Sequence, residues 1–76
     1  MKMKDLREMG KVLSTVFDAK IGWRESLPDG TTADDEFTKF FCIEKDDFIV
    51  AYRVRKSVPS SKPIILRKIN EKWGRY

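Results

Sequence analysis

The side chains of this chain that could support catalysis are carboxylates and lysines, because its 76 residues include no histidine. Histidine is the commonest general base and a frequent metal ligand. Two carboxylates and a lysine, such as Asp29, Glu44 and Lys45, could hold a magnesium ion for nuclease chemistry. Neighbouring strand residues such as Glu44 and Lys45 point to opposite faces of a sheet, however, so they cannot hold one ion. We therefore expect a non-enzymatic protein with no metal, no cofactor and no small-molecule substrate.

Cys42 is the only cysteine, so the chain cannot form an intramolecular disulfide. It lies in an apolar run without a neighbouring base, which predicts a small buried side chain and not a nucleophile. No apolar stretch approaches the roughly 20 residues of a membrane-spanning helix, and the N-terminus is charged and lacks the apolar core of a signal peptide. We expect a cytoplasmic protein without a membrane partner.

The charged residues are divided unevenly along the chain. Residues 1–48 contain 8 Lys/Arg and 11 Asp/Glu, whereas residues 49–76 contain 8 Lys/Arg and one acid, Glu71, within a net charge of +4. This asymmetry suggests an anionic partner for the C-terminal part of the chain.

A first group of candidate nucleic-acid contacts lies on the predicted strands. Arg53 and Arg55 alternate with apolar residues, so they lie opposite the predicted core face of their strand. If that face of the sheet is open, Arg24 and an exposed Phe40 join them, and single-stranded nucleic acid could pair its phosphates with arginine and stack a base on the ring. In the alternative interpretation, the arginines pair with carboxylates such as Glu44 across the hairpin.

A second group of candidate nucleic-acid contacts lies in and before the last predicted element. Its members are Lys62, Arg67, Lys68, Lys72 and Arg75. On a helix, spacings of three and four place the last three of them on one face. They then form either an ordinary solvated face or a ridge that contacts phosphates.

Acidic residues between the first two predicted strands support a different function. Asp29, Asp34, Asp35 and Glu36, together with an exposed Phe40, could form a surface that binds a protein. The chain would then be a small protein-binding regulator or inhibitor, of the kind that phages and mobile elements encode, acting through its acidic loop and open sheet face. Nucleic-acid binding, to RNA or DNA, is the leading hypothesis, and binding of an intracellular protein is the alternative.

Apolar periodicity predicts the elements that position these residues. Spacings of three and four predict a helix over residues 4–18, and alternation predicts strands over residues 20–26, 37–45 and 48–56. The short connection between the last two strands predicts an antiparallel hairpin.

The last element has two interpretations. Ile65, Ile69 and Trp73 are spaced by four, which predicts a final helix whose apolar stripe packs on the core face. The competing interpretation is a fourth strand over residues 62–69. With the helix, the fold class is α+β with the order α-β-β-β-α, a three-stranded antiparallel sheet with two helices packed on one face, in a single domain over residues 1–76. This order is similar to that of double-stranded-RNA-binding domains and of small ribonuclease toxins, although residues 60–68 lack the basic motif of the former and the chain lacks the catalytic histidine of the latter.

Overall fold

The structure, a computed structural model, describes residues 1–33 and 38–76. Its elements are α1 (Met3–Phe17), β1 (Lys20–Arg24), β2 (Thr38–Lys45), β3 (Phe48–Arg55), β4 (Val58–Pro59), β5 (Ile64–Ile69) and β6 (Lys72–Arg75). The strands form one antiparallel sheet in the order β1-β2-β3-β5-β6, and the short β4 pairs with the end of β3 beside β5.

Helix α1 confirms the prediction from apolar spacing, to within one residue at each end. It ends at Asp18, which adopts the left-handed conformation with φ of 54°. Gly10 is buried against the sheet, and a Cβ atom there would lie 3.2 Å from Cε2 of Phe41 and 3.3 Å from Cγ2 of Ile21. The absence of a side chain at Gly10 therefore lets the helix approach β1 and β2 closely.

The predicted hairpin of β2 and β3 is also confirmed. Phe41 pairs with Tyr52 and Lys45 with Phe48, so a two-residue turn joins the strands. β1 pairs antiparallel with the other edge of β2.

The predicted fold class is wrong, because the chain after β4 forms a β-hairpin and not a second helix. The Ile64-Ile65-Leu66 run is rich in β-branched side chains and pairs with β3, with Leu66 opposite Ile49. Asn70 and Glu71 both adopt positive φ, 52° and 64°, which is the conformation of a tight hairpin turn. Over the described residues the protein is thus mostly sheet with one helix, and the α-β-β-β-α order, with the similarities it suggested, does not hold. The strand interpretation of residues 62–69 is the correct one.

The two faces of the sheet are covered by different parts of the chain. We call the face that α1 contacts the helix face; its buried cluster is Leu6, Phe41, Ile43, Tyr52 and Val54. We call the opposite face the loop face, because residues 25–33 cover it; its buried cluster is Leu27, Phe40, Cys42, Ile49, Ala51 and Leu66. Trp73 packs against the loop-face cluster, so the prediction that it faces the helix side is also wrong.

Candidate functional site

The predicted stacking surface around Phe40 is absent, because the Phe40 ring is completely buried in the loop-face cluster. The register does place Arg24, Phe40 and Arg53 side by side on one face. The guanidinium carbon of Arg53 lies 5.8 Å from the centroid of the Phe40 ring, so the arginine takes the position that a stacked base would need. The prediction that Phe40 is exposed failed because residues 25–33 supply a second cover for the sheet.

Arg24 is engaged by Glu44. Its Nε and Nη2 atoms donate to the two carboxylate oxygens of Glu44, each over 2.8 Å. These hydrogen bonds, together with the negative charge of Glu44, raise the pKa of Arg24 despite partial burial. The carboxylate that the sequence offered to Arg53 or Arg55 therefore pairs with Arg24.

The second predicted basic group is divided between the two faces of the sheet. Strand alternation puts Lys68 and Arg75 on the loop face, and Arg67 and Lys72 on the helix face. Lys68 Nζ lies 3.2 Å from a carboxylate oxygen of the exposed Glu71. The alternative in which these residues form a single basic ridge on a helix is therefore wrong.

Asp29 and Arg75, predicted for two different binding functions, contact each other. Arg75 Nε lies 3.7 Å from Asp29 Oδ2, and Arg75 Nη2 donates to Thr31 Oγ1 over 3.3 Å. The side chain of Asp29 is only 12% exposed. Desolvation acts to raise the pKa of Asp29, but hydrogen bonds from Thr31 and the charge of Arg75 outweigh it, so this pKa lies below its ordinary value. The ion pair between Asp29 and Arg75 therefore links residues 25–33 to β6 on the loop face.

The other acidic candidates, Asp34, Asp35 and Glu36, lie outside the described residues. They directly precede β2 in the chain.

Basic residues that the sequence assigned to different groups come together at the end of the sheet where β3 ends and β4 begins. Arg55 pairs with Thr38, Lys39 pairs with Val54, and the Ser60 amide donates to the Arg53 carbonyl over 2.7 Å. We call this region the basic end; it comprises Arg53, Arg55, Lys56 and Lys62, whereas Lys39, opposite Val54, lies on the other face of the sheet.

A groove on the helix face is the feature that sequence reasoning missed. It lies between the C-terminal half of α1 and the β3–β5 pair and has a volume of about 630 Å³. Its apolar lining consists of Leu13, Phe17, Ala19, Ile43, Phe48 and Val50. Its charged border consists of Lys45, Asp46, Asp47 and Arg67, and Lys68, whose side chain lies on the loop face, also adjoins it. Phe17 is 53% exposed and Phe48 is 39% exposed, although both belong to the apolar patterns that predicted the core.

The groove continues over β5 and β6. A shallower depression of about 400 Å³ shares Arg67 with the groove and is also bordered by Ile69, Lys72 and Tyr76. The Tyr76 ring meets the Phe48 ring edge to face, with 6.3 Å between centroids, and the Arg67 guanidinium carbon lies 5.7 Å from the Tyr76 centroid. Exposed aromatic and basic side chains thus lie together on the helix face, not on the loop face where they were predicted.

The groove exists because one helix is too narrow for this sheet. Helix α1 contacts β1, β2 and β4, and within the described residues it makes no close backbone contact with β5 or β6. Lys45 Nζ donates to the carbonyl oxygen of Phe17, which ties the end of α1 to the turn between β2 and β3. The available sequence signal was the strand interpretation of residues 62–69, because it removes the second helix that would have covered β5.

The thiol of Cys42 is unreactive because the side chain is buried. Cys42 is fully buried, and desolvation raises its pKa to about 11, so it stays protonated at neutral pH. Over residues 1–33 and 38–76, three or more potential metal-ligating side chains nowhere converge. Across the same part of the chain, no helix has the length and apolar character needed to cross a bilayer.

No family model, curated protein or solved structure matches this chain significantly. Functional inference therefore depends on the geometry of its surfaces.

Proposed function

We propose that this chain is a non-enzymatic protein-binding module whose contact surface is the groove on the helix face. The observation that carries the proposal is the exposure of two large aromatic side chains that line one concavity: Phe17 and Phe48. Scattered apolar residues are normal on protein surfaces, but a contiguous apolar patch with a polar border is typical of an interaction site. We expect the partner to be intracellular, where an isolated thiol such as Cys42 stays reduced.

The composition of the groove suits a protein partner. Interface hot spots are enriched in aromatic residues and arginine, and Phe48, Tyr76 and Arg67 lie in mutual contact at its border. Each Å² of apolar surface that a partner removes from water contributes about 25 cal/mol. Association thus gains most where Phe17 and Phe48 are covered.

Site-specific photo-crosslinking tests this proposal. The photo-crosslinking amino acid p-benzoylphenylalanine replaces Phe48 in one variant and Phe17 in a second, and each protein is irradiated in cells that produce it naturally. The matched control carries the same amino acid in place of Val58, which is 64% exposed and lies in β4 outside the groove. Crosslinked products are identified by mass spectrometry.

We expect positions 48 and 17 to capture the same protein and position 58 not to capture it. If the two groove positions capture no common protein, or if position 58 captures the same set, the groove is not the contact surface.

Nucleic-acid binding, the hypothesis that the sequence favoured, stays a prediction. The basic end is the surface that would carry it, because it gathers positive charge from β3 and the segment before β5. Neutralised phosphates release counterions, so log K would fall linearly with log salt concentration. Replacing Arg55 and Lys62 with alanine would then make that slope shallower by the contribution of about two phosphate contacts. If the chain bound neither RNA nor DNA at low salt, the hypothesis would be excluded.

A further inference from the structure

We infer that the occupant of the groove is an amphipathic α-helix of the partner protein, with acidic residues along the flank that faces β5 and β6. This inference rests on the proposed function and specifies the partner of the same surface. Three independent observations support it. They are the distance between α1 and the uncovered strip of the sheet, the apolar side chains of α1 that border the groove, and the charge of the groove's border.

The spacing is that of two helices packed side by side on a sheet. Helix α1 contacts β1 and β2, and it contacts β4 only where β4 pairs with Val54 and Arg55, at the end of β3 away from the groove; β5 lies two strands beyond β2 in the sheet order. Neighbouring strands are about 4.8 Å apart, so the midline of β3 and β5 is about 10 Å from the midline of β1 and β2, over which this part of α1 lies. Packed helices have axes about 8–10 Å apart. A second helix over β3 and β5 would therefore contact both α1 and the sheet.

The side of α1 that borders the groove carries exposed apolar side chains of the kind that pack against a second helix. Leu13 lines the groove, Val16 follows Leu13 by three residues, and Val12 precedes Val16 by four, so Val12 and Val16 lie on the flank of α1 beside Leu13. Val12 is 59% exposed and Val16 is 66% exposed, so this apolar ridge extends beyond the sheet. Ridges of this kind pack between the side chains of an adjacent helix. An extended peptide lying on the strands would leave Val12 and Val16 in water.

The charge of the border indicates which charged residues the partner helix carries on the side that faces β5 and β6. Arg67 lies opposite Phe48 on β3, and Lys72 lies opposite Ile69, so both basic residues are on the helix face at the edge away from α1. The other residues on that face of the β5–β6 hairpin are Ile65, Ile69, Gly74 and Tyr76, which carry no side-chain negative charge. Asp46 and Asp47 border the groove instead from the turn before β3. Complementarity therefore requires glutamate or aspartate on the flank above β5 and β6.

A peptide titration of the purified chain tests the inference. Three synthetic 15-residue peptides are used: an amphipathic helix with leucines at spacings of three and four and glutamates on one flank, the same helix with lysines there, and a scrambled acidic peptide without helical periodicity. Affinities are measured by fluorescence anisotropy, and the bound surface is mapped by amide chemical shifts in NMR spectra.

We expect the acidic helix to bind roughly tenfold more tightly than the basic helix, and the scrambled peptide to bind weakest. The shift changes should centre on Phe17, Phe48 and Val50. The substitution Arg67→Glu should remove the preference for the acidic helix, whereas Arg55→Glu, at the exposed basic end, should leave it unchanged.

Several results would overturn the inference. Equal affinities for the three peptides, or no binding of the acidic helix up to about 1 mM, would exclude a helical acidic partner. A concentration-dependent dimer that changes the same groove signals would make a second copy of the chain the occupant. Stronger groove shifts with a single-stranded oligonucleotide than with the acidic helix would make nucleic acid the ligand.

The two proposals can fail separately. If crosslinking through position 48 captures a protein at a segment that is neither helical nor acidic, the protein-binding function stands and the helix inference fails. If no crosslink forms but the acidic helix binds in the groove, the inference that the groove binds an acidic amphipathic helix is supported, whereas the proposed function in the cell fails.

Discussion

The two faces of the sheet differ in how completely the chain covers them. On the loop face, residues 25–33 fold back over Phe40, Cys42 and Leu66, which are all fully buried. On the helix face, α1 buries Leu6 and Phe41 but leaves Phe48 and Phe17 partly in water. One sheet thus has a face closed by its own chain and a face closed over only part of its width.

This difference separates residues kept for stability from residues available for binding. The loop face is held by many short local contacts, including the Thr31 amide donating to Asp29 Oδ1 over 3.0 Å and the Leu27 amide donating to the Thr31 carbonyl over 2.7 Å. Gly30 adopts φ of 95°, a conformation that side chains rarely tolerate, and this permits the tight turn. On the helix face, the side chains around the groove contribute apolar surface that the fold itself does not bury.

The largest expected effect comes from truncating matched aromatic residues on the two faces. Phe40→Ala should reduce the free energy of unfolding by about 3–5 kcal/mol, because it leaves a cavity in the closed face. Phe48→Ala should cost about 1 kcal/mol, because its ring is 39% exposed. Urea denaturation monitored by circular dichroism measures both values, and equal costs would show that the two faces are equally closed.

A smaller effect should follow from filling the close approach at Gly10. Gly10→Val places methyl groups against Phe41 and Ile21, so it should cost about 1–3 kcal/mol through overpacking. Thr15→Val, at an exposed position of the same helix, is the control and should change little. In NMR spectra, Gly10→Val should shift the signals of Phe41, in the helix-face cluster, more than those of Leu66, in the loop-face cluster. Larger shifts for Leu66 than for Phe41 would show that the two buried clusters are not independent.

The smallest stability effect concerns the pair of Asp29 and Arg75. Asp29→Asn keeps the shape of the side chain but removes its charge, so it should cost up to about 1 kcal/mol at pH 7, because Arg75 is largely exposed. The pKa of Asp29 is lowered in the folded protein, so its stabilisation is complete above the unfolded pKa of about 3.9 and is lost as pH falls through the lower folded value.

The pH dependence of this difference checks the assignment. Thermal melts of wild type and Asp29→Asn should differ at pH 7 and converge in acid below the folded pKa. A difference between wild type and Asp29→Asn that grows as pH falls would contradict the pairing.

The sequence predicted local elements where one periodicity dominates. Leu6, Met9 and Leu13 recur at helical spacing, and β3 alternates cleanly, so α1 and the β2–β3 hairpin were correct. The final segment satisfied two periods at once, because Ile65 and Ile69 lie on one side of either a helix or a strand. Pairing with β3, a long-range interaction, decides in favour of the strand.

The site was harder to predict than the elements, for a related reason. Strand alternation placed Arg24, Phe40 and Arg53 on one face correctly, but it carries no information about what covers that face. The segment between the first two predicted strands was considered only as an acidic loop, yet Leu27 in that segment helps to bury Phe40. The groove on the helix face depends on the absence of a second helix, so it could not be predicted while the final segment was assigned as helical.

The most direct test of the account compares two exposed apolar residues for their effect on binding. The protein captured through position 48 is purified, and its dissociation constant is measured for wild type, Phe48→Ala and Val58→Ala by isothermal titration calorimetry. We expect Phe48→Ala to weaken binding at least tenfold, or about 1.4 kcal/mol, as for an interface hot spot, and Val58→Ala to change it less than twofold. Equal affinities for wild type and Phe48→Ala would contradict the claim that the groove on the helix face is the binding surface.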